Sequence, residues 1–169
     1  MTELAHEDRL AKLARMREAG MEPYPARGIE GTPIADLVAG AGTQEAPGPL
    51  VGEKVTACGR LLGLRDFGKL IFAPLDDRSG RMQLGLQKQR LADWWPDRKL
   101  LDGGDLVGVR GELGHTQKGE PTIWVEEIQL LAKSVAPRRR SGTAWPTWRS
   151  ATAAATWTCG PTPTRATCS

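Results

Sequence analysis

The side chains best suited to bond-making chemistry are few in this sequence and poorly spaced for it. The cysteines are Cys58, Cys159 and Cys168, and the histidines are His6 and His115. An odd cysteine count at these intervals suits neither a disulfide framework nor a zinc site, so no structural metal is expected. Basic and aromatic side chains are the next candidates. Arg9, Lys12, Arg15 and Arg17 share one face of a predicted helix, either solvated or facing phosphate. Trp94 and Trp95 fall in a polar segment between predicted strands and are expected to cap the base of a barrel. Trp124 is open to two readings, packing at a sheet edge or contact with a ligand.

The net charge of +3 invites a nucleic-acid reading, but its distribution qualifies it. Arg138, Arg139, Arg140, Arg149 and Arg165 are the only charged side chains after residue 137, so the first 137 residues carry a net −2. Nucleic-acid binding by the folded part must then be local and directed by shape rather than by bulk charge. The charged, periodic amino terminus does not look like a signal peptide, and no stretch approaches the length of a membrane span. A soluble cytoplasmic protein is the expectation.

These side chains need elements to position them. Residues 3–19 place Leu4, Leu10, Leu13, Ala14 and Met16 at helical spacing, with Thr2 as a cap and Gly20 as a stop. Pro23 and Pro25 then impose an extended path through Tyr24. Residues 1–27 thus form a helix and a Tyr-Pro segment. Residues 28–53, rich in Gly, Pro and Ala, read as a linker with one helical turn at most. From Lys54 the period becomes that of strands. Five strands, with a helix between the third and fourth, predict a mainly β domain over 54–135: an OB-fold, a Greek-key barrel. Its expected core is Val55, Leu61, Ile71, Leu75, Leu84, Leu86, Val107, Val109, Ile123, Val125, Ile128 and Leu130. Strand alternation sets Phe72 on the face opposite Ile71.

RLAKLARMREAGMEPYP resembles the amino-terminal helix and Tyr-Pro segment of class II lysyl-tRNA synthetases. VTACGRLLGLRDFGKLIFAPLDDRSGRMQL resembles the family's first three strands, and GGDLVGVRGELGHTQKGEPTIWVEEIQLLAKS its last two. The landmarks keep order and spacing from about Arg9 to Ser134. Aspartyl and asparaginyl synthetases share the barrel, but REAGMEPYP and VEEIQLLAKS favour the lysyl branch. The resemblance implies an anticodon-binding domain for lysine tRNA, of UUU type, with Phe72 as the base-stacking aromatic. It implies that Gln83 and Glu127 read base edges and that Arg65 and Lys69 hold phosphates or bases; Leu64 departs from members with a second arginine there. The full family enzyme uses ATP and Mg²⁺ and forms a homodimer. Neither cofactor is expected to bind this chain, because the catalytic domain of that family has no counterpart in it.

Residues 136–169 are unlike the rest and are expected to be disordered and out of frame. The family continues approximately as KWHGLADVEVRYRRRYLDLWANP. Written in G- or C-ending codons and read one nucleotide later, this yields the SGTAWPTWRSATAAATW and following WTCGPTP of Ser141–Pro163. The alternative functions are a general single-strand-binding OB protein and a synthetase-like interaction module.

Overall fold

A computed structural model describes residues 2–41 and 48–136, with side chains described from His6 to Ala41 and from Glu53 onward. The expected tail and its change of frame lie outside the described residues.

Six strands make the sheet: β1 (Gly48–Leu61), β2 (Arg65–Asp66), β3 (Leu70–Asp76), β4 (Arg81–Gln87), β5 (Leu106–His115) and β6 (Pro121–Ala132). They run in the order β1-β5-β6-β4-β3-β2, and β1 also pairs with β3, which closes the sheet into a barrel. Every pairing is antiparallel except β4 with β6. The five expected strands are all present in this OB-fold. The addition is β2, a two-residue strand that folds onto β3 with Arg65 opposite Phe72.

Alternation explains which faces are buried. Ile71, Ala73 and Leu75 of β3 and Met82, Leu84 and Leu86 of β4 point inward, while Phe72 and Gln83 point out. Every predicted core residue lies in or against the observed core, with Val55, Ile128 and Leu130 at its margin, and the core extends beyond them to Ala57, Met82, Leu101 and Leu113 among others. Strict alternation would not allow both Val125 and Ile128 to face it. The register with β5 shifts between Arg110 and Gly111, which leaves Glu126 without a ladder partner. Such a bulge resets the alternation. Gly111 permits it, because a Cβ there would fall on the carbonyl oxygen of Trp124.

Three expectations need correction. First, the helix between strands is a short 3₁₀ helix, Trp95–Leu100, with Pro96 in its first turn. The Arg98 guanidinium lies 5.1 Å from the centre of the Trp95 ring, and Trp95 and Trp94 both pack on the core. Second, the stretch expected as a linker over 28–53 is tied to the barrel along its described first part, residues 28–41. Thr32 donates its backbone N–H to Thr56 O, and the Cys58 thiol donates to Ile29 O. A helix of 8 residues, α2 (Ile34–Ala41), then buries Ile34, Leu37 and Ala41 in the barrel core. Its amino terminus is capped from a distance by the β3–β4 turn: Asp77 Oδ2 accepts from Ile34 N and Ser79 Oγ from Ala35 N, each at 3.0 Å. These are N–H groups that a helix start leaves without partners. Burial alone would raise the Asp77 carboxyl, but these bonds and those from Ser79 and Gly80 hold it below its usual range. The strand β1 begins at Gly48, six residues earlier than expected.

Third, the amino-terminal helix, α1 (Thr2–Glu18), is held less by its apolar stripe than by its basic face. Of that stripe Leu13 and Met16 are buried, but Leu10 is 43% exposed. Arg9 instead donates to Ser134 O and Gly103 O, and Lys12 donates to Asp102 at 2.7 Å. Two of the four basic side chains are therefore tied into the fold. Asp102 and Asp105 in turn receive the buried ammonium of Lys133 at 2.6 and 2.8 Å. Burial would raise the Asp102 carboxyl, yet the Lys12 and Lys133 hydrogen bonds outweigh it and lower its pKa; burial would lower Lys12, and its carboxylate partners raise it instead. Gly20, at φ 75°, ends the helix with Met21 N bonded to Met16 O and Gly20 N to Arg17 O. This is the paired 6→1 and 5→2 closure that a left-handed residue allows. Tyr24 then straps the chain to the end of β6, donating its hydroxyl to Lys133 O.

Candidate functional site

The outward face of β2, β3, β4 and β6 carries a row of aligned residues: Arg65 opposite Phe72, Phe72 opposite Gly85, Gly85 beside Trp124. Gly85 matters because a Cβ there would lie 2.7 Å from the Trp124 ring, so the indole can settle onto the sheet. Trp124 meets Phe72 edge-on at 6.3 Å, and Phe72 meets Phe67 at 6.1 Å and 71°. The three rings and the β5–β6 turn line an open groove of about 630 Å³, with Arg65, Gln83, Gln87, Lys118 and Glu120 among its walls. A groove with aromatic walls, one arginine and several amides suits unpaired bases, which offer a π face and hydrogen-bonding edges.

The predicted site residues divide. Phe72, Gln83 and Arg65 all line the groove. Gln83 is half-buried, and its Nε2 reaches Thr122 Oγ1 only at 3.5 Å, a long bond that a better acceptor could replace. Lys69 is exposed in the β2–β3 turn and does not line the groove. Glu127 is not brought into it either. It follows the bulge on β6, pairs with Arg110 at 3.1 Å, and stands beyond the ion pairs that Arg90 makes with Glu112 and Glu126. The carboxylate in the groove wall is Glu120, held in a turn in which Thr116 N donates to Glu120 O.

Residue types alone pointed to neither Phe67 nor Glu120, and they gave QKGE as the turn between the last two strands but not as a wall of the groove. An aromatic between Asp66 and Gly68, in a segment too short to bury it, was the available signal for Phe67. Trp124 answers its two readings together: it is 8% exposed and packed on the sheet, and it also lines the groove. Its Nε1 is buried without a hydrogen-bond partner. Among the described residues no three His, Cys, Asp or Glu side chains gather to hold a metal ion. Nor is any described helix long and apolar enough to cross a membrane.

A barrel with this strand order is an OB-fold, and residues 55–131 match the tRNA anticodon family, described as an OB-fold nucleic acid binding domain. The relatives narrow the class. The lysine–tRNA ligase of Roseiflexus castenholzii is 43% identical over 134 residues, which cover 78% of this chain and 27% of the relative. That of Magnetococcus marinus is 39% identical over 131 residues, 76% of this chain and 26% of the relative. That of Moorella thermoacetica is 38% identical over 130 residues, 76% and 25% of the two chains. The chain is thus homologous to the amino-terminal, anticodon-binding domain of lysine–tRNA ligases, and spans about a quarter of the length of these relatives.

Proposed function

We propose that the groove beside Phe72 binds lysine tRNA at its anticodon, of UUU type. The observation that carries this reading is the convergence of Phe72, Arg65 and Gln83, far apart in kind and chosen for complementary tasks, in one open groove of an anticodon-family barrel. Phe72 stacks a base. Gln83 offers a donor and an acceptor to the edge of a uracil. Arg65 balances phosphate. Glu120 accepts from a base N–H more readily than Glu127 does, since Glu127 lies past the Arg90 pairs and touches RNA only if the strand continues along β6. Lys69 serves phosphate from the neighbouring turn.

The 169-residue chain itself activates no lysine, holds no ATP or Mg²⁺, and acts by binding; pairing into a homodimer belongs to the longer ligases. Lysine-dependent pyrophosphate exchange by the purified chain would overturn that part. For the recognition itself, fluorescence anisotropy compares a stem-loop bearing the UUU anticodon with one altered at the middle base. Tighter binding of the first is expected, and equal binding of both sinks the proposal. A general single-strand binder would instead take polypyrimidine with a steep salt dependence and no anticodon preference.

A further inference from the structure

Phe67 is the most exposed large apolar side chain among the described residues, at 66%. Its exposure does not come from a loose loop. Phe67 N donates to Leu70 O at 2.8 Å, Gly68 N donates to Asp66 Oδ1 at 2.7 Å, and Gly68 takes φ 83° to turn the chain. The Arg98 guanidinium stands 3.9 Å from the other Asp66 oxygen. A well-tied hairpin thus holds an aromatic ring, two-thirds exposed, at the groove's rim beside Phe72.

The angle between the rings is informative. Phe67 and Phe72 are inclined by 71° at 6.1 Å. Two bases, each lying flat on one of these rings, cannot lie flat on each other. We propose, building on the anticodon reading above, that Phe67 is a second stacking platform. It takes the nucleotide next to the one on Phe72 and holds the two unstacked. Arg65 is the cross-strand partner of Phe72 and lies two residues before Phe67, which puts a cation beside the phosphate that links the two nucleotides. Splaying adjacent bases exposes the edges of both to the amide and carboxylate groups of the groove wall, which a continuous stack would shield in part.

The test uses the full chain and UUU stem-loops carrying 5-iodouridine at one anticodon position at a time, with the photocrosslinked peptide mapped by mass spectrometry. One position should crosslink to Phe72 and an adjacent one to Phe67. Phe67→Ala should weaken binding by about fivefold or more. Phe67→Leu should weaken it nearly as much, whereas Phe67→Tyr should keep it, because the π face and not apolar bulk is what the base uses. Full affinity in Phe67→Leu shows apolar cover only and overturns the inference. So does an unchanged Phe67→Ala with no crosslink at Phe67; if Phe72→Ala still weakens binding and the middle base is still read, the anticodon reading survives that failure. Loss of both effects removes the two proposals together.

Discussion

Replacing Lys133 by methionine should be the most damaging single change that leaves the groove untouched. The Lys133 ammonium is fully buried and donates to Leu100 O at 2.7 Å, Asp102 Oδ2 at 2.6 Å and Asp105 Oδ2 at 2.8 Å. Methionine fills similar volume but supplies no charge. Asp102 would retain Lys12 as a partner, at 2.7 Å. Asp105, itself fully buried, would keep only two backbone donors, Asp102 N and Ser134 N, each at 2.8 Å. Removing one member of a buried ion pair costs roughly 3–5 kcal/mol, most of it from the uncompensated charge left behind. Against a usual domain stability of about 5–15 kcal/mol this is a large fraction, and it should lower the urea midpoint by about 2 M. Circular dichroism during urea titration gives both quantities. Adding Asp105→Asn removes the stranded charge while leaving an oxygen for one backbone donor, so the double variant should cost less than the sum of the singles by about 1 kcal/mol or more. The reasoning is refuted by a Lys133→Met loss under about 1 kcal/mol, or by strictly additive single losses.

Gly111→Ala should destabilise the barrel by more than about 2 kcal/mol, because its Cβ would meet backbone at the β6 bulge and not a side chain that can swing aside; thermal denaturation measures it. Asp77→Ala should cost about 1–2 kcal/mol by uncapping α2, with Ser79→Ala costing less, and hydrogen exchange at Ile34 should report the loss locally. The depressed carboxyls of Asp77 and Asp102 set a pH dependence of known sign: their stabilisation is present above the ordinary carboxylate range near about pH 4 and is lost as pH falls through their lower folded values. Lys12, raised in the folded state, acts in the opposite sense, stabilising below the ordinary lysine range and ceasing to do so as pH rises through its folded value. Wild-type stability should therefore show an acid limb that Asp77→Asn makes shallower, as urea midpoints across pH will show. Phe72→Ala should weaken binding of the UUU stem-loop by about 1–3 kcal/mol, while the loss of its edge contacts with Phe67 and Trp124 lowers stability by only about 1 kcal/mol, since the ring lies outside the barrel core.

The strand periods alone determined the barrel. Alternation in LIFAPLD and RMQLGLQ fixes which side chains can be buried, because successive residues of a strand must face opposite ways. Gly20 and the proline pair likewise marked the end of α1 through local dihedral preference, which needs no distant partner. Alternation set Phe72 on the outward face, and the family landmarks singled out Phe72, Arg65 and Gln83, which line one groove. What the periods could not reveal were features in which one segment supplies what another lacks. The cap on α2 comes from Asp77 and Ser79, 43 and 44 residues away, so IADLVAG reads as a weak turn when its own residues are considered alone. The basic face of α1 reads as a solvated or phosphate-binding surface until Asp102 and the carbonyls of Gly103 and Ser134 are brought against it. In one dimension the resemblance pointed to Glu127 and passed over Glu120. Only the bulge at Glu126 and the closure of β6 against β4 decide which carboxylate shares a groove with Phe72, because register is a property of two strands and not of one.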